Sequence, residues 1–167
     1  MIAAYLAVER LLAWASALLL AATGVFLSWE VVSRYFFNAP TIWAAELSQL
    51  CLIWACPMAM GWALSERRHI RVDAVTRLLG DRARQVAELV ALLAVAIFAA
   101  VVTVYGFDIF HDSFERGRTT GTMLDLPAWI PEASIPAGFG LLFISALVNM
   151  ARTWKDGAPK PDGEIHE

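Results

Sequence analysis

Four stretches of 19 residues without one charged side chain decide what this chain can become. They cover 11–29, 47–65, 89–107 and 133–151, bounded by Arg10 and Glu30, Glu46 and Glu66, Glu88 and Asp108, and Glu132 and Arg152. Coiled as helices at about 1.5 Å per residue, each is roughly 28 Å long, close to the roughly 30 Å hydrocarbon core of a bilayer. The composition, 59% hydrophobic and 17% charged in 167 residues, is far from the roughly half-apolar, quarter-charged make-up of a soluble domain. Soluble, disordered and fibrous classes are excluded. The expected fold is an all-α integral membrane protein, one domain over residues 1–154, with transmembrane helices over about 11–33, 46–65, 86–110 and 130–152. The tail from Lys155 to Glu167, KDGAPKPDGEIHE, is polar and rich in Pro and Gly, so disorder is expected there.

A cleaved signal peptide competes for the first window. The start MIAAYLAVER has no Lys or Arg before Arg10, which has Glu9 beside it, and the apolar stretch outruns a signal core. An uncleaved first helix fits better.

Orientation follows from the basic residues. Arg67, Arg68, Arg71, Arg77, Arg82 and Arg84 lie between helices 2 and 3; Arg152, Lys155 and Lys160 lie in or near the tail, and Arg10 near the start. Only Arg34, Arg116 and Arg118 fall on the other side. Ten against three predicts an N-in, C-in topology, with both termini and the loop between helices 2 and 3 in the cytoplasm and the other two loops outside. Trp29, Trp43 and Trp129 then mark the outer boundary and Trp14, Trp62 and Trp154 the inner one, as an interfacial belt requires, with Trp54 towards mid-span. The net charge of −3 gives no nucleic-acid footprint.

Small residues recur every four positions at Ala13, Ala17 and Ala21, and at Ala55, Ala59 and Ala63. Such stripes allow close helix packing, although alanine is frequent enough in apolar sequence to produce them by chance. Pro57 is expected to kink helix 2. In the cytoplasmic segment, Val72, Val75, Leu79 and Val86 repeat at near-helical spacing, with Asp73 placed as an N-cap, Gly80 as a stop and Asp81 as a second cap. Either a short amphipathic helix on the anionic inner leaflet or a plain stop-transfer charge cluster satisfies this pattern.

Catalytic and cofactor signatures do not emerge. Neither lysine follows a glycine, which removes a Walker-type phosphate loop. Cys51 and Cys56 stand about 140° apart around a helix and can neither bridge nor share a metal. His69, His111 and His166 all lie outside the spans, where they cannot ligate a membrane haem. A non-enzyme without cofactor or metal is expected. An ionisable group at the bilayer centre costs roughly 2.5–3.5 kcal/mol on the insertion scale and is kept for function. The four windows carry none, and Glu30, the nearest, is expected at the water-accessible edge of helix 1. Such a chain is not built to move a polar solute by itself.

Residues 34–73, RYFFNAPTIWAAELSQLCLIWACPMAMGWALSERRHIRVD, carry a resemblance. The order Arg34, Tyr35, Asn38, Pro40, Trp43, Glu46, then Trp54 and Gly61, then His69, Ile70, Val72 and Asp73, resembles the small permease (Q, DctQ-like) subunit of tripartite ATP-independent periplasmic (TRAP) transporters. The string covers about a quarter of the chain, and Leu126-Pro127 followed by Pro136 and Gly138 extends a weaker likeness. Ala45 departs from the family, which often has a second Glu beside Glu46, and Gly80-Asp81 stands in place of the usual Pro after the loop leucines. The first departure puts in doubt any role that needs adjacent carboxylates, the second only the local loop geometry.

The resemblance implies a sodium-coupled symport system for organic acids such as a dicarboxylate or sialic acid. A soluble periplasmic binding protein (P) captures the solute, a large membrane subunit (M) carries it, and the small subunit braces M among the membrane lipids. By resemblance, the matched positions serve the partner interface or the structure. Arg34 and Glu46 are expected to pair with each other or with the large subunit, or to snorkel as boundary charges. His69 and Asp73 tie the cytoplasmic loop to itself or to the partner, with capping by Asp73 as the plainer role. Two other readings compete: an autonomous four-helix exporter of the small-multidrug type with Glu30 as its proton site, and an accessory membrane protein unrelated to transport.

Overall fold

The structure, a computed structural model, describes residues 2–65 and 81–156. Four long helices account for most of them: α1 over Ile2–Phe36, α2 over Ile42–Ser65, α3 over Asp81–Glu115 and, after the single turn α4 at Trp129–Glu132, α5 over Ser134–Asp156. Each long helix contains a segment apolar and long enough to cross a membrane, at Ala7–Phe36, Ile42–Leu64, Arg82–Glu115 and, joined to α4, Trp129–Lys155. The chain is therefore an all-α protein with four membrane-crossing helices. At about 1.5 Å per residue the 35-residue α1 and α3 reach roughly 52 Å, so they tilt or project beyond a 30 Å core. The expected amphipathic helix, with His69, Asp73 and Gly80, lies outside the described residues, as does the tail from 157 onward. Lys155 and Asp156 belong to α5 rather than to that tail, and a lysine in the last turn suits the negative end of the helix dipole.

The helices pack as a row. α1 lies along α2, α2 along α5 and α5 along α3, while α1 and α3 form no packed pair. α2 and α5 are thus the inner helices, although α5 is the last of the described helices in chain order. Chain order and spatial order differ because the 116–128 connection carries α5 back between α2 and α3.

What α1 buries explains how an apolar helix holds a place in an apolar solvent. Its inward line is Glu9, Ser16, Thr23 and Glu30, one residue every seven, while Leu11, Leu18, Val25 and Val32 repeat at the same interval on the exposed side. Lipid is as apolar as leucine, so burial of leucine cannot bring helices together there; close approach of small residues and hydrogen bonds can. A strict seven-residue repeat keeps one stripe on a neighbouring helix with a slight left-handed crossing. Ser16 Oγ donates to the Ala55 carbonyl of α2 at 2.7 Å, opposite an alanine that is fully buried. The expected stripe Ala13, Ala17, Ala21 is not the packing face, since Ala17 and Ala21 are exposed. Ala55 of the second stripe is buried, and Ala59 and Ala63 are half-buried.

α2 runs unbroken through Pro57, whose ring closes on α5 at Gly138. A Cβ built on Gly138 would lie 1.9 Å from the Pro57 Cβ, so only glycine permits this crossing. On the other flank of α5 the packing is conventional. Leu92, Ala96 and Ala99 of α3 meet Leu142 and Ala146 of α5, with Leu64 of α2 completing the cluster.

Candidate functional site

Two ends of the bundle concentrate polar chemistry. At the end that carries the 37–41 and 116–128 connections, α1 stops where Asn38 takes a left-handed conformation, φ +47°, which asparagine tolerates better than other side chains with a Cβ. This turn returns the Ala39 N–H to the Ser33 carbonyl at 3.1 Å, and Pro40 follows with no N–H to leave unpaired. Thr41 then precedes the first residue of α2, a position that favours a hydroxyl. Its N–H donates to Glu30 Oε2 at 2.9 Å, and its hydroxyl donates to the same oxygen. Arg34 Nη2 donates to Glu30 Oε1 at 2.7 Å. One carboxylate therefore joins the end of α1 to the beginning of α2.

Glu30 is only 6% exposed. The expectation of a water-accessible edge residue is corrected: the turn at Asn38 folds Thr41 back over it, a contact between residues 11 apart that a helix-end reading does not include. Arg34 pairs with Glu30 and leaves over half of its side chain in solvent. Tyr35 is exposed, and Trp43 is partly exposed with its ring edge-on to Phe26 at 5.9 Å.

Glu46 serves a different contact. Its Oε2 accepts the Thr122 hydroxyl at 2.8 Å, and its two oxygens face the Leu124 N–H at 3.2 and 3.3 Å. It thereby pins the connection between α3 and α4. That connection is itself ordered. α3 ends in a Schellman motif, with Gly117 at φ +59° and the Arg118 N–H on the Ser113 carbonyl at 3.1 Å. The Thr120 N–H meets the Leu126 carbonyl at 2.8 Å, and the Ala128 N–H meets the Arg118 carbonyl at 2.9 Å. Asp112 accepts both Arg116, at 2.6 Å, and Arg118, at 2.9 Å. Between this connection and the first turns of α2 lies a cleft of about 390 Å³, with Glu46, Arg118 and Glu132 among its lining.

At the opposite end, Glu9 of α1 is 4% exposed. Its Oε1 accepts the Ser145 hydroxyl of α5 at 2.7 Å and the Tyr5 hydroxyl, and Tyr5 also reaches Ser145 at 2.6 Å. Gly61 of α2 closes the group: a Cβ there would lie 2.9 Å from Ser145 Oγ and 3.5 Å from Glu9 Oε1. Three helices meet on one carboxylate. This explains Gly61 of the recognised string, while Trp54 is half-buried in mid-helix. His69 and Asp73 lie outside the described residues.

Glu9, Tyr5 and Ser145 are not singled out by charge-free length, because Glu9 precedes the first uncharged window and lies 136 residues from Ser145. A usable signal existed in the polar residues spaced by seven from Glu9 to Glu30. Among the described residues no three His, Cys, Asp or Glu side chains form a group able to hold a metal ion. Cys51 is half-buried and Cys56 exposed, both as free thiols.

A bundle of four helices long and apolar enough to cross a membrane, joined by buried carboxylates and small-residue crossings, defines a multi-pass membrane protein. Residues 23–156 match the model of the family described as tripartite ATP-independent periplasmic transporters, DctQ component. The chain belongs to this family and is a TRAP transporter small permease subunit of the bacterial inner membrane. It is 26% identical over 113 residues to the isethionate TRAP transporter permease protein DctMQ of Oleidesulfovibrio alaskensis, covering 68% of this chain and 18% of that protein. It is 26% identical over 89 residues to the sialic acid TRAP transporter small permease protein SiaQ of Vibrio cholerae, covering 53% and 51%. With the C4-dicarboxylate TRAP transporter small permease protein DctQ of Rhodobacter capsulatus it shares 24% over 115 residues, covering 67% and 50%. The chain thus spans about half the length of these small permease relatives and under a fifth of the fused one.

Proposed function

We propose that this chain is the bracing subunit of a sodium-coupled, binding-protein-dependent importer of organic acids, and that it does no chemistry of its own. It sits N-in, C-in, embraces a large membrane subunit along its apolar faces and helps to receive a soluble binding protein on the outer side. The observation that carries the scaffold role is the use of the polar groups. Glu9, Ser16 and Glu30 bond within the chain, while the exposed faces of α1 and α3 offer Leu11, Leu18 and Val25 and Val90, Ile97 and Val104. A subunit so built offers its neighbour packing surface and rigidity. The fused DctMQ relative supports a large-subunit partner, because matching sequence occupies part of a much longer permease there. Isethionate, sialic acid and C4-dicarboxylates, in the relatives' names, are organic acids, which supports that solute class. The proton-site alternative loses support from Glu30, whose oxygens receive Arg34 and Thr41.

The test is a mild-detergent pull-down of the tagged chain from its native membrane, followed by mass spectrometry. One large, many-span protein in near-equal amount is expected. Recovery of this chain alone, under conditions that preserve other membrane complexes, would remove the scaffold reading.

A further inference from the structure

The start of α3 and the end of α5 enclose an apolar groove that the scaffold role leaves without an occupant. We propose that it holds an acyl chain of an anionic phospholipid of the inner leaflet, with the headgroup against Arg82 and Lys155; the choice of leaflet, though not the binding, rests on the topology proposed above.

Two matched stripes make the groove. Val86, Val90 and Leu93 of α3 and Leu147, Ala151 and Trp154 of α5 each repeat at i, i+4 and i+7, the spacing of one helix face, and border a space of about 460 Å³ lined by apolar side chains alone. Gln85 Nε2 donates to the Thr153 carbonyl at 3.0 Å and ties the two helices together at this end, so the groove is formed before a lipid enters. From Val86 to Leu93 it runs roughly 10 Å, within the roughly 15 Å of hydrocarbon that one leaflet supplies. A packed transmembrane helix would call for a face running the length of the crossing. The groove takes only the inner end of the exposed α3 line and leaves Ile97 and Val104 to the large subunit.

Charge selects the headgroup. Both stripes run on into a cation: Arg82 stands one turn before Val86 and Lys155 one turn after Ala151, each about 40° around its helix from that residue. The acidic residues of this end, Asp81, Glu88 and Asp156, stand about 140–160° around from Val86 or Ala151, off both stripes. Arg82 and Lys155 are exposed and hold no ion pair among the described residues. The first turn of α3 and the last turn of α5 lie side by side, so their opposite dipole ends offset each other and the two side chains carry the field. Trp154, 74% exposed between Lys155 and the groove, brings an indole N–H donor to headgroup depth. An anionic headgroup meets two unpaired cations there. A zwitterionic lipid offers the same chain, but with an ammonium that those cations repel.

The test uses the complex recovered by the tagged chain, stripped of endogenous lipid in detergent and offered phosphatidylglycerol and phosphatidylcholine with identical acyl chains. Native mass spectrometry counts the lipid that stays with the small subunit. Wild type should favour phosphatidylglycerol about tenfold. Arg82→Gln combined with Lys155→Gln should bring that ratio to within about twofold of unity, while Arg116→Gln, a cation at the opposite end, should leave it unchanged. Ala151→Trp fills the groove and should lower retention of both lipids about fivefold or more. Melting accompanies each variant, and Lys155→Gln alone, with an expected drop of about threefold in the ratio, decides the matter if the double variant does not fold. Equal retention of the two lipids by wild type, or a ratio that survives the double substitution, would overturn the proposal. So would loss of the large subunit from Ala151→Trp with lipid retention unchanged, which would give the groove to a protein helix. Failure of the proposed topology reads differently: orientation does not enter a micelle, so an inverted chain would move the lipid to the outer leaflet and leave the ratio intact.

Discussion

Glu30 and Arg34 are four residues apart on one helix, yet their exchange value is unequal. Glu30 is buried and accepts from Arg34 and from both the N–H and the hydroxyl of Thr41; Arg34 reaches Glu30 through one nitrogen and leaves over half of its side chain exposed. Removing an acceptor strands every donor aimed at it, whereas an exposed cation finds water instead. Glu30→Ala should therefore lower the melting temperature of the purified protein clearly more than Arg34→Ala; equal losses would show that the joint depends on the ion pair alone. Arg34 was visible in the recognised string, but its partner was not, because a helix-end rule places Glu30 in water and cannot foresee the turn at Asn38. Glu46 was visible for the same reason, and its loop contacts, 76 and 78 residues away in the chain, were not.

For the helices, charge-free length together with apolar composition was sufficient to identify four crossings, since 19 apolar residues in a row match the thickness of a bilayer core. It was not sufficient to say which faces meet. Periodic alanines suggested one face of α1, and the structure uses the polar line instead, because in lipid a hydroxyl or carboxyl gains more from a neighbour than a methyl does. The Pro57–Gly138 crossing was likewise beyond reach, as each residue had a local meaning and the pairing joins positions 81 apart. Gly138→Ala must push α2 from α5 and is expected to cost about 1–3 kcal/mol, the usual range for overpacking. Gly24→Ala, with open space around its Cβ, should be neutral or gain up to about 1 kcal/mol from helix propensity. Comparable melting of the two variants would contradict the tight crossing.

At the scale of the molecule, the proposed topology puts the 116–128 connection outside and the segment after α5 inside. With Cys51 and Cys56 replaced by serine, Met123→Cys should react with a membrane-impermeant maleimide in intact spheroplasts. Lys160→Cys should react only after the membrane is opened. The reverse pattern would invert the assignment drawn from ten basic residues against three.

The row order α1, α2, α5, α3 also has a meaning in time. A ribosome delivers α3 to the membrane before α5 exists, so the first hairpin can close while α3 stands in lipid with its alanine face uncovered. Ala96 and Ala99 find Leu142 and Ala146 only when the fourth crossing arrives and wedges between helices made before it. The fourth crossing of this subunit is therefore an insertion between helices made before it, and the 23 residues of α5 bring together what stands upstream of them.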